Sequence, residues 1–372
     1  MGISYKKSDG TWSILDVPVT VINGASDGLA NKLIDGSIEE IKAEDLVEIT
    51  KIGPSAFRQR TKLVNVEIPD NITYIGNYAF RDCDALLTLA IPDSVKTVGA
   101  YAFAYCDSLE SINIPDSVTS LGDYTFYGSA ALKDVTIGKN VPSIGPGVLV
   151  NCTALETLTI PYVGNTPDSY SDTTKNFFGY IFGGSSHSYN GSVIPSTLKT
   201  LIITEPIDIY RDNFYNCPFE TLVLPEGLTK TGAWICKSCK NLKNVTLPST
   251  LTEITAGAFS SCSALEYIDI PAKVTTIGID AFSYCSSLKE FTFPSGVKTI
   301  TNSCFQYDSK LKKVFIPKSV TKIDERAFNG CTALTDIYYE GTSSQWSAIS
   351  KSTSYNAPLT SATKHYECGG IE

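Results

Sequence analysis

The cysteines and histidines are the residues of this chain whose types could support catalysis or metal binding. Cys236 and Cys239 form one C-x-x-C pair, and no second pair follows to complete the four ligands of a structural zinc site. His187 and His365 lie in different segments, and neither has an acidic neighbour at a spacing typical of a general base. We interpret both histidines as solvated loop residues.

Other catalytic motifs are missing as well. The glycines are scattered, and none forms a phosphate-binding loop or a nucleophile elbow with its neighbours. The sequence therefore predicts a protein that is not an enzyme, with no catalytic residues, no metal site and no cofactor.

The cysteines instead follow a repeat. Eight of the eleven stand three residues after a phenylalanine-type position: Cys83, Cys106, Cys152, Cys217, Cys239, Cys262, Cys285 and Cys331. A free cysteine behaves as a small hydrophobic residue, and cysteines stacked with parallel Cβ vectors have poor geometry for a disulfide. We therefore predict a ladder of buried free thiols, which also contains the C-x-x-C pair.

The repeat has a period of 23 residues, and LEYIDIPAKVTTIGIDAFSYC at 265–285 shows its pattern. Ile268 and Ile270 alternate with polar residues as in a half-buried strand, and Pro271 ends that strand. Gly278 permits a turn. The spacing of Phe282 and the residues after it predicts a helical or 3-10 turn that closes the coil.

The phenylalanine-type position shows how far the repeat extends. It is occupied by Phe57, Phe80, Phe103, Phe126 and Leu149 and, after an interruption, by Phe214, Cys236, Phe259, Phe282, Phe305 and Phe328. A single coil cannot bury its apolar face alone, so the coils must stack. The pattern predicts an α/β, β-dominated leucine-rich repeat solenoid. We expect it to be right-handed, with a parallel β-sheet on its concave face.

Five segments follow from the limits of the repeat. They are an N-terminal cap at 1–40, the first half of the solenoid at 41–161, an insertion at 162–197, the second half at 198–339 and a C-terminal cap at 340–372. Trp12, Ile14, Val17, Val19 and Val21 alternate in part, which predicts a half-buried strand in the first cap.

The insertion and the second cap carry apolar residues outside the repeat. Phe178 and Phe182 belong to an aromatic cluster in the insertion, which either packs against the solenoid or forms a binding element. We favour packing. Trp346 and Ile349 have the i, i+3 spacing of a short helix that covers the end of the stack.

The charge of the chain limits the classes of partner. The formal net charge is −9, which argues against nucleic acid or an anionic membrane surface as a ligand. No apolar run approaches the roughly 20 residues of a membrane span, and we identify no signal peptide or anchor.

Charges also alternate from coil to coil. They occupy the position two residues before the first inward strand residue: Glu110, Lys133, Glu156, Lys199, Glu220, Lys243, Glu266, Lys289 and Lys312. In-register stacking would place opposite charges beside each other throughout the series, except at Lys289 and Lys312. We interpret the series mainly as a device for register and solubility.

A family resemblance rests on these motifs. The repeat L-x-x-I-x-I-P-x-x-V-T-x-I-G-x-x-A-F-x-x-C, the segment FGYIF at 178–182 and the ending YYEGTSSQW…LTSATKHY resemble the BspA-like leucine-rich repeat proteins of bacteria. The resemblance covers about 45–367. It implies a secreted or cell-surface protein that acts in adhesion and binds host proteins or other bacteria, with no catalytic residues to carry over.

The variable residues of such a fold lie on the outer side of its strands. Larger groups occupy these positions in the later coils, and they are our candidate binding residues: Tyr267, Asp269, Phe315, Tyr338, Ile202 and Val223. Tyr78, Tyr101 and Tyr124 form a second aromatic series on a turn. The alternative for both sets is ordinary cross-strand stacking.

Two functions remain open. The first is a non-enzymatic adhesion protein that binds a protein or glycan partner and is located outside the cell or at its surface, as the resemblance implies. We expect it to act as a monomer. The alternative is a structural or receptor-binding component, such as a phage tail-associated or spacer protein.

Overall fold

The computed structural model describes residues 3–6, 12–15, 37–47, 49–166, 177–186, 190–206 and 211–368. The chain forms two compact units. The first unit comprises 1–175 with 179–185, and the second comprises 176–178 with 186–372. Each unit is a stack of coils whose strands pair in parallel. The predicted β-dominated leucine-rich repeat solenoid is therefore confirmed.

The first unit begins with an antiparallel pair, β1 (Ile3–Lys6) and β2 (Trp12–Leu15). The predicted strand at Trp12 is thus present, whereas Val17, Val19 and Val21 lie outside the described residues. A degenerate first coil follows, in which a 3-10 helix spans Ala43–Leu46.

Each coil of the first unit contributes a strand to the first, longer series, and the first four coils also contribute a two-residue strand to a second series. The long strands are β3 (Glu40–Ile41), β5 (Asn65–Glu67), β7 (Thr88–Ala90), β9 (Ser111–Ile114), β11 (Asp134–Ile137) and β12 (Thr157–Ile160). The short strands are β4 (Lys51–Ile52), β6 (Tyr74–Ile75), β8 (Thr97–Val98) and β10 (Ser120–Leu121). Asp134 pairs with Ser111 and Thr157, each 23 residues away, so the register follows the sequence period.

The second unit repeats this arrangement. Its long strands are β13 (Thr200–Ile203), β14 (Thr221–Val223), β15 (Asn244–Thr246), β18 (Glu290–Thr292), β20 (Lys313–Ile316), β22 (Asp336–Tyr339) and β24 (Thr363–His365). Its short strands are β16 (Glu253–Ile254), β17 (Thr276–Ile277), β19 (Thr299–Ile300), β21 (Lys322–Ile323) and β23 (Ser350–Lys351). Short helices span Asn190–Val193, Ser343–Ala348 and Ala357–Ser361.

The core of each unit is a set of side-chain ladders. Phenylalanines stack from coil to coil, with ring centroids 5.2 Å apart for Phe57 and Phe80 and 5.8 Å apart for Phe282 and Phe305. Inward strand residues such as Val314 are fully buried. Stacking of this kind buries apolar surface on both faces of a coil, which a lone coil cannot do.

The outer turns differ from the prediction. Residues 279–284 form consecutive turns rather than a helical or 3-10 segment. Asp280 and Tyr284 flank Phe282 in the left-handed region, with φ of 55° and 62°. The N–H of Phe282 donates to Cys304 O (3.0 Å), and that of Tyr284 donates to Gln306 O (2.7 Å). Alternate N–H groups thus donate to the next coil, while those of Ser283 and Cys285 donate within the turn to Asp280 O and Phe282 O. The bonds to the next coil hold the left-handed residues in place.

Gly278 is required for a reason other than the predicted turn. Gly278 is not among the glycines with positive φ. A Cβ atom on Gly278 would lie only 2.5 Å from the backbone nitrogen of Ala256 in the preceding coil. Glycine is therefore needed because the two backbones approach closely.

The cysteine ladder consists of free thiols, as predicted, and all eight ladder cysteines are buried. Its hydrogen bonding was not predicted. The Cys83 thiol donates to Phe57 O (3.1 Å) and the Cys285 thiol to Phe259 O (3.1 Å), in each case 26 residues earlier. At Ser129, which occupies the same position, a hydroxyl donates to Phe103 O (2.7 Å). The position thus selects a small hydrogen-bond donor.

The described parts of the insertion are packed. Tyr162 is buried and its hydroxyl donates to Val141 O (2.8 Å). A 3-10 helix spans Phe178–Phe182, and in the first unit the N–H of Leu149 donates to Ile181 O (2.8 Å). In a regular coil this N–H donates to a carbonyl in the outer turn of the next coil, as that of Phe126 does to Val148 O. The carbonyl of Ile181 takes the place of that acceptor. These contacts favour packing over an exposed binding element.

The C-terminal segment contains two helix–strand pairs, each with a lysine in its strand. Trp346 is buried on the helix Ser343–Ala348, and Lys351 Nζ donates to Trp346 O and Ile349 O. Lys364 Nζ similarly donates to Thr360 O (2.7 Å), and burial lowers the pKa of both lysines. Cations suit the carbonyls at a helix C-terminus, and inward lysines discourage pairing with a further strand.

Candidate binding surface

The C-x-x-C pair is part of the core. Cys236 and Cys239 are fully buried, and burial raises the pKa of the Cys236 thiol well above its ordinary range. A thiol held in its neutral form is a poor metal ligand and a poor nucleophile. Across the part of the chain that the structure describes, no cluster of three or more His, Cys, Asp and Glu residues could hold a metal ion.

The structure describes one of the two histidines. His187 lies outside the described residues. The interpretation of His365 as a solvated loop residue is wrong, because it is half-buried in β24 and its ring stacks on Tyr338 at 4.5 Å. Its Nε2–H donates to Asp336 Oδ1 (2.7 Å), and this bond lowers the pKa of Asp336.

The candidate binding residues belong to one surface of the second unit, which we call the sheet face. It consists of the outward-pointing side chains of β13–β15, of segment 267–270 and of β18, β20, β22 and β24. Within it the structure brings the predicted residues together in three groups rather than in one site. Ile202 and Val223 are register partners in β13 and β14, and both are half-buried.

The second group is a row of aromatic rings. The centroids of Phe315 and Tyr338 are 4.7 Å apart with an interplanar angle of 16°, and His365 continues the stack at 13°. Because the rings lie face to face, the row presents its edges and the Tyr338 hydroxyl outward. Such a row combines apolar area with a polar group.

The place of His365 in this row was not predicted, although the sequence contains one signal for it. Thr363, Lys364 and His365 continue the register of Asp336, Ile337 and Tyr338 at a spacing of 27 residues instead of 23. The longer spacing accommodates the two terminal helices, which a search for a strict period does not recognise.

The third group, Tyr267 and Asp269, lies in segment 267–270, which is not a regular strand. The strand predicted at Ile268 and Ile270 is therefore wrong, and both isoleucines are only half-buried. A cavity of about 560 Å³ opens here, and Asn244 and Thr246 of β15 form part of its lining together with Tyr267 and Asp269. We call this cavity the Tyr267 groove.

A second aromatic surface lies on the outer turns of the first unit. Tyr78, Tyr101 and Tyr124 stack with centroids 5.3 and 5.0 Å apart, which confirms the predicted series. Tyr127 packs edge-on against Tyr124, and the Arg81 guanidinium lies 5.7 Å from the Tyr78 ring. All four tyrosines keep part of their surface exposed.

The repeat matches a family model. The model described as "BspA type Leucine rich repeat region" matches residues 50–174 and 207–335 in six copies. The chain belongs to this family. Leucine-rich repeat proteins of this fold typically bind proteins or act in adhesion, and they are generally non-enzymatic.

Three solved structures of leucine-rich repeat proteins align with this chain over different shares of its length. A leucine-rich repeat protein from Bacteroides ovatus is 21% identical, over 88% of this chain and 82% of that one, with a TM-score of 0.42. A leucine rich cell surface protein from Faecalibacterium prausnitzii is 26% identical, over 84% and 81%, with a TM-score of 0.33. The leucine rich repeat protein of T. pallidum is 28% identical, over 37% and 68%, with a TM-score of 0.36.

The search of curated proteins and the helices of the structure each give one negative finding. No curated protein is detectably similar in sequence to this chain. Among the helices in the described ranges, none is long and apolar enough to cross a membrane.

Proposed function

We propose that the chain is a non-enzymatic binding protein that holds a protein partner on the sheet face of its second unit. The observation that carries this proposal is the aromatic row of Phe315, Tyr338 and His365. Three rings in consecutive strands form one continuous half-buried strip. Aromatic residues at fixed positions dominate the energetics of many protein interfaces.

The strip is rigid because of the ladders below it. Val314 and Ile337 point inward from the same strands, are fully buried and are register partners. Rings fixed in this way lose little conformational entropy when a partner binds, which favours affinity. The equivalent outward positions of β11 and β12 carry the small residues Thr136 and Thr159, so the two units differ in what they can bind.

The packing of the rings favours a protein over a glycan. Each face of the Tyr338 ring is covered by a neighbouring ring, so this ring has no free face for a sugar to stack on. Ring edges and a hydroxyl remain, and they suit backbone carbonyls and apolar side chains. Family membership supports adhesion as the biological setting and the cell surface or the extracellular space as the location.

The test begins with a binding screen on the full chain. Purified host extracellular proteins and bacterial surface glycans are immobilised in parallel, and binding is measured by biolayer interferometry. We expect protein ligands among those retained. A chain that retains only glycans would contradict the ligand class that we propose.

The site is then tested by substitution. Phe315→Ala together with Tyr338→Ala should weaken binding of the retained protein by roughly 30-fold or more, the size expected for a binding hot spot. Thr136→Ala with Thr159→Ala is the matched control in the first unit and should leave affinity unchanged. Melting temperatures of both variants show whether the fold persists. Unchanged affinity in a folded Phe315/Tyr338 variant would refute the site.

A further inference from the structure

The sheet of the second unit is interrupted at segment 267–270. β14 pairs with β15, and β18 pairs with β20, but the segment between them pairs with neither β15 nor β18. Within the described residues, the N–H and C=O groups of 267–270 make no backbone–backbone hydrogen bond. The nearest bond to the next coil is donated by the Lys289 N–H to Glu266 O (3.1 Å). Four residues of extended main chain thus keep their hydrogen-bonding groups available.

The interruption also uncovers apolar side chains. Val245, Leu247, Ile268 and Ile270 occupy inward positions, yet all four are only half-buried. The equivalent residues of the adjoining coils are buried: Leu222, Leu224, Phe291 and Phe293. The Tyr267 groove therefore exposes part of the core beside main-chain donors and acceptors. Buried main-chain groups require partners, so an occupant of the groove must supply hydrogen bonds as well as apolar contacts.

The charges around the groove are not balanced. The two lysines closest to it already have partners, because Lys243 pairs with Glu220 and Lys289 pairs with Glu266. Asp269 and Glu290 lie on the same surface, and neither forms an ion pair in the described ranges. Two free carboxylates favour a cationic ligand.

We propose that the Tyr267 groove binds an extended, basic segment of a protein partner by β-strand addition. The partner's main chain pairs with residues 267–270, and its alternate apolar side chains contact Val245 and Ile268. A lysine or arginine of the partner approaches Asp269. This inference rests on the proposed function and identifies the part of the partner that is recognised. Main-chain pairing contributes affinity in this mode of binding, and the flanking side chains contribute specificity.

Hydrogen–deuterium exchange of the free chain is the first experiment. We expect the amides of 267–270 to exchange at least roughly tenfold faster than those of Val314 and Ile337, which lie in paired strands. Slow exchange of 267–270 in the free chain would show that these amides already have partners, and it would overturn the proposal.

The second experiment uses a defined probe. The peptide KKVFIP, which copies residues 312–317, has two lysines followed by three apolar residues, of which Val and Ile would lie on the same side of an extended strand. The N-acetylated, C-amidated peptide should slow exchange of 267–270 and bind with a measurable Kd by fluorescence anisotropy. The same peptide with alternate main-chain nitrogens methylated keeps the side chains and loses donors, so it should bind at least about tenfold more weakly. Equal affinity of the two peptides would overturn strand addition.

Substitutions separate the groove from the aromatic row. Asp269→Lys should weaken binding of KKVFIP at least about tenfold, whereas Thr136→Lys, the matched control in the first unit, should not change it. An oligosaccharide such as maltohexaose should not compete, and competition would assign the groove to sugars. If KKVFIP fails to bind while the Phe315/Tyr338 substitutions still abolish binding of the protein ligand, the groove proposal fails and the proposed function stands.

Discussion

Asp308 is the residue whose substitution should have the clearest effect on stability. It stands at the ladder position where other coils place a cysteine or serine that donates to a carbonyl. Asp308 is fully buried, and neither of its carboxylate oxygens has a hydrogen-bond partner in the described residues. Burial is the main cause that raises its pKa well above the usual range, while the nearby backbone of Cys285 acts in the opposite direction. Burial therefore favours the protonated form of Asp308 in the folded chain.

The variants Asp308→Cys and Asp308→Asn should be more stable than the parent. Both supply a donor at this position that, unlike the Asp308 carboxyl, does not have to retain a titrating proton in order to donate. An unsatisfied buried polar group costs about 1–3 kcal/mol. Replacing Asp308 should thus raise the free energy of unfolding by about that amount at pH 7. For a unit of this size the change corresponds to about 2–4 °C in Tm per kcal/mol.

The pH dependence has a defined sign. The pKa of Asp308 is higher in the folded state than in the unfolded state, where it is about 3.8–3.9. The unfolded chain therefore loses this proton first, so the parent loses stability as pH rises above about 4. The thiols around Asp308, on Cys285, Cys304 and Cys331, stay neutral in this range because burial raises their pKa values.

Thermal unfolding of parent and variants between pH 4 and 8 tests this account. The gain in Tm of Asp308→Asn over the parent should increase from pH 4 towards pH 8, because retaining the Asp308 proton costs more as pH rises, whereas the unsatisfied polar group costs the same at every pH. Cys262→Ser is the matched ladder control, since it keeps a donor, and its difference from the parent should not change with pH. A Tm gain for Asp308→Asn that is constant over this range would refute a protonated Asp308.

Two further predictions concern the surface charges and the thiols. Glu220→Lys should lower Tm by about 1–3 °C at low salt, because Lys243 Nζ lies 2.8 Å from the Glu220 carboxylate and this contact lowers the pKa of Glu220. Adding 0.5 M NaCl should remove most of the difference in Tm between variant and parent. Equal Tm values at low salt would show that the ion pair contributes nothing to stability. In the folded chain only Cys368 should react with a thiol reagent, because the other ten cysteines are buried. All eleven should react when the chain is unfolded in guanidinium chloride. Modification of several thiols in the folded chain would contradict the buried ladder.

The periodicity of the sequence was sufficient to predict the fold. A fixed spacing determines which side chains face inward, and the stacked phenylalanines and buried thiols follow from it. Contacts between coils were harder to predict. Glycine is needed at Gly278 because the backbone of the preceding coil lies too close for a Cβ atom. A cysteine suits position 285 because its thiol donates a hydrogen bond to the carbonyl of Phe259, 26 residues earlier. No local pattern within one coil reports such distant backbone groups.

The candidate binding residues were predicted only in part. The outward direction of Phe315 and Tyr338 follows from strand alternation, and their adjacency follows from the period. The coil at 265–285 matches the repeat pattern closely and yet lacks its long strand. Strand propensity describes one segment, whereas a ladder forms only if the neighbouring coils also approach within hydrogen-bonding distance. The groove beside Tyr267 was for this reason not visible in the sequence.

The most direct test of the proposed function is hydrogen–deuterium exchange of the full chain with and without a protein ligand retained in the binding screen. Binding on the sheet face predicts slower exchange in 267–270 and in β18, β20 and β22, with the outer turns at Tyr78, Tyr101 and Tyr124 unchanged. Protection confined to those tyrosine turns, with none in the second unit, would contradict the central claim.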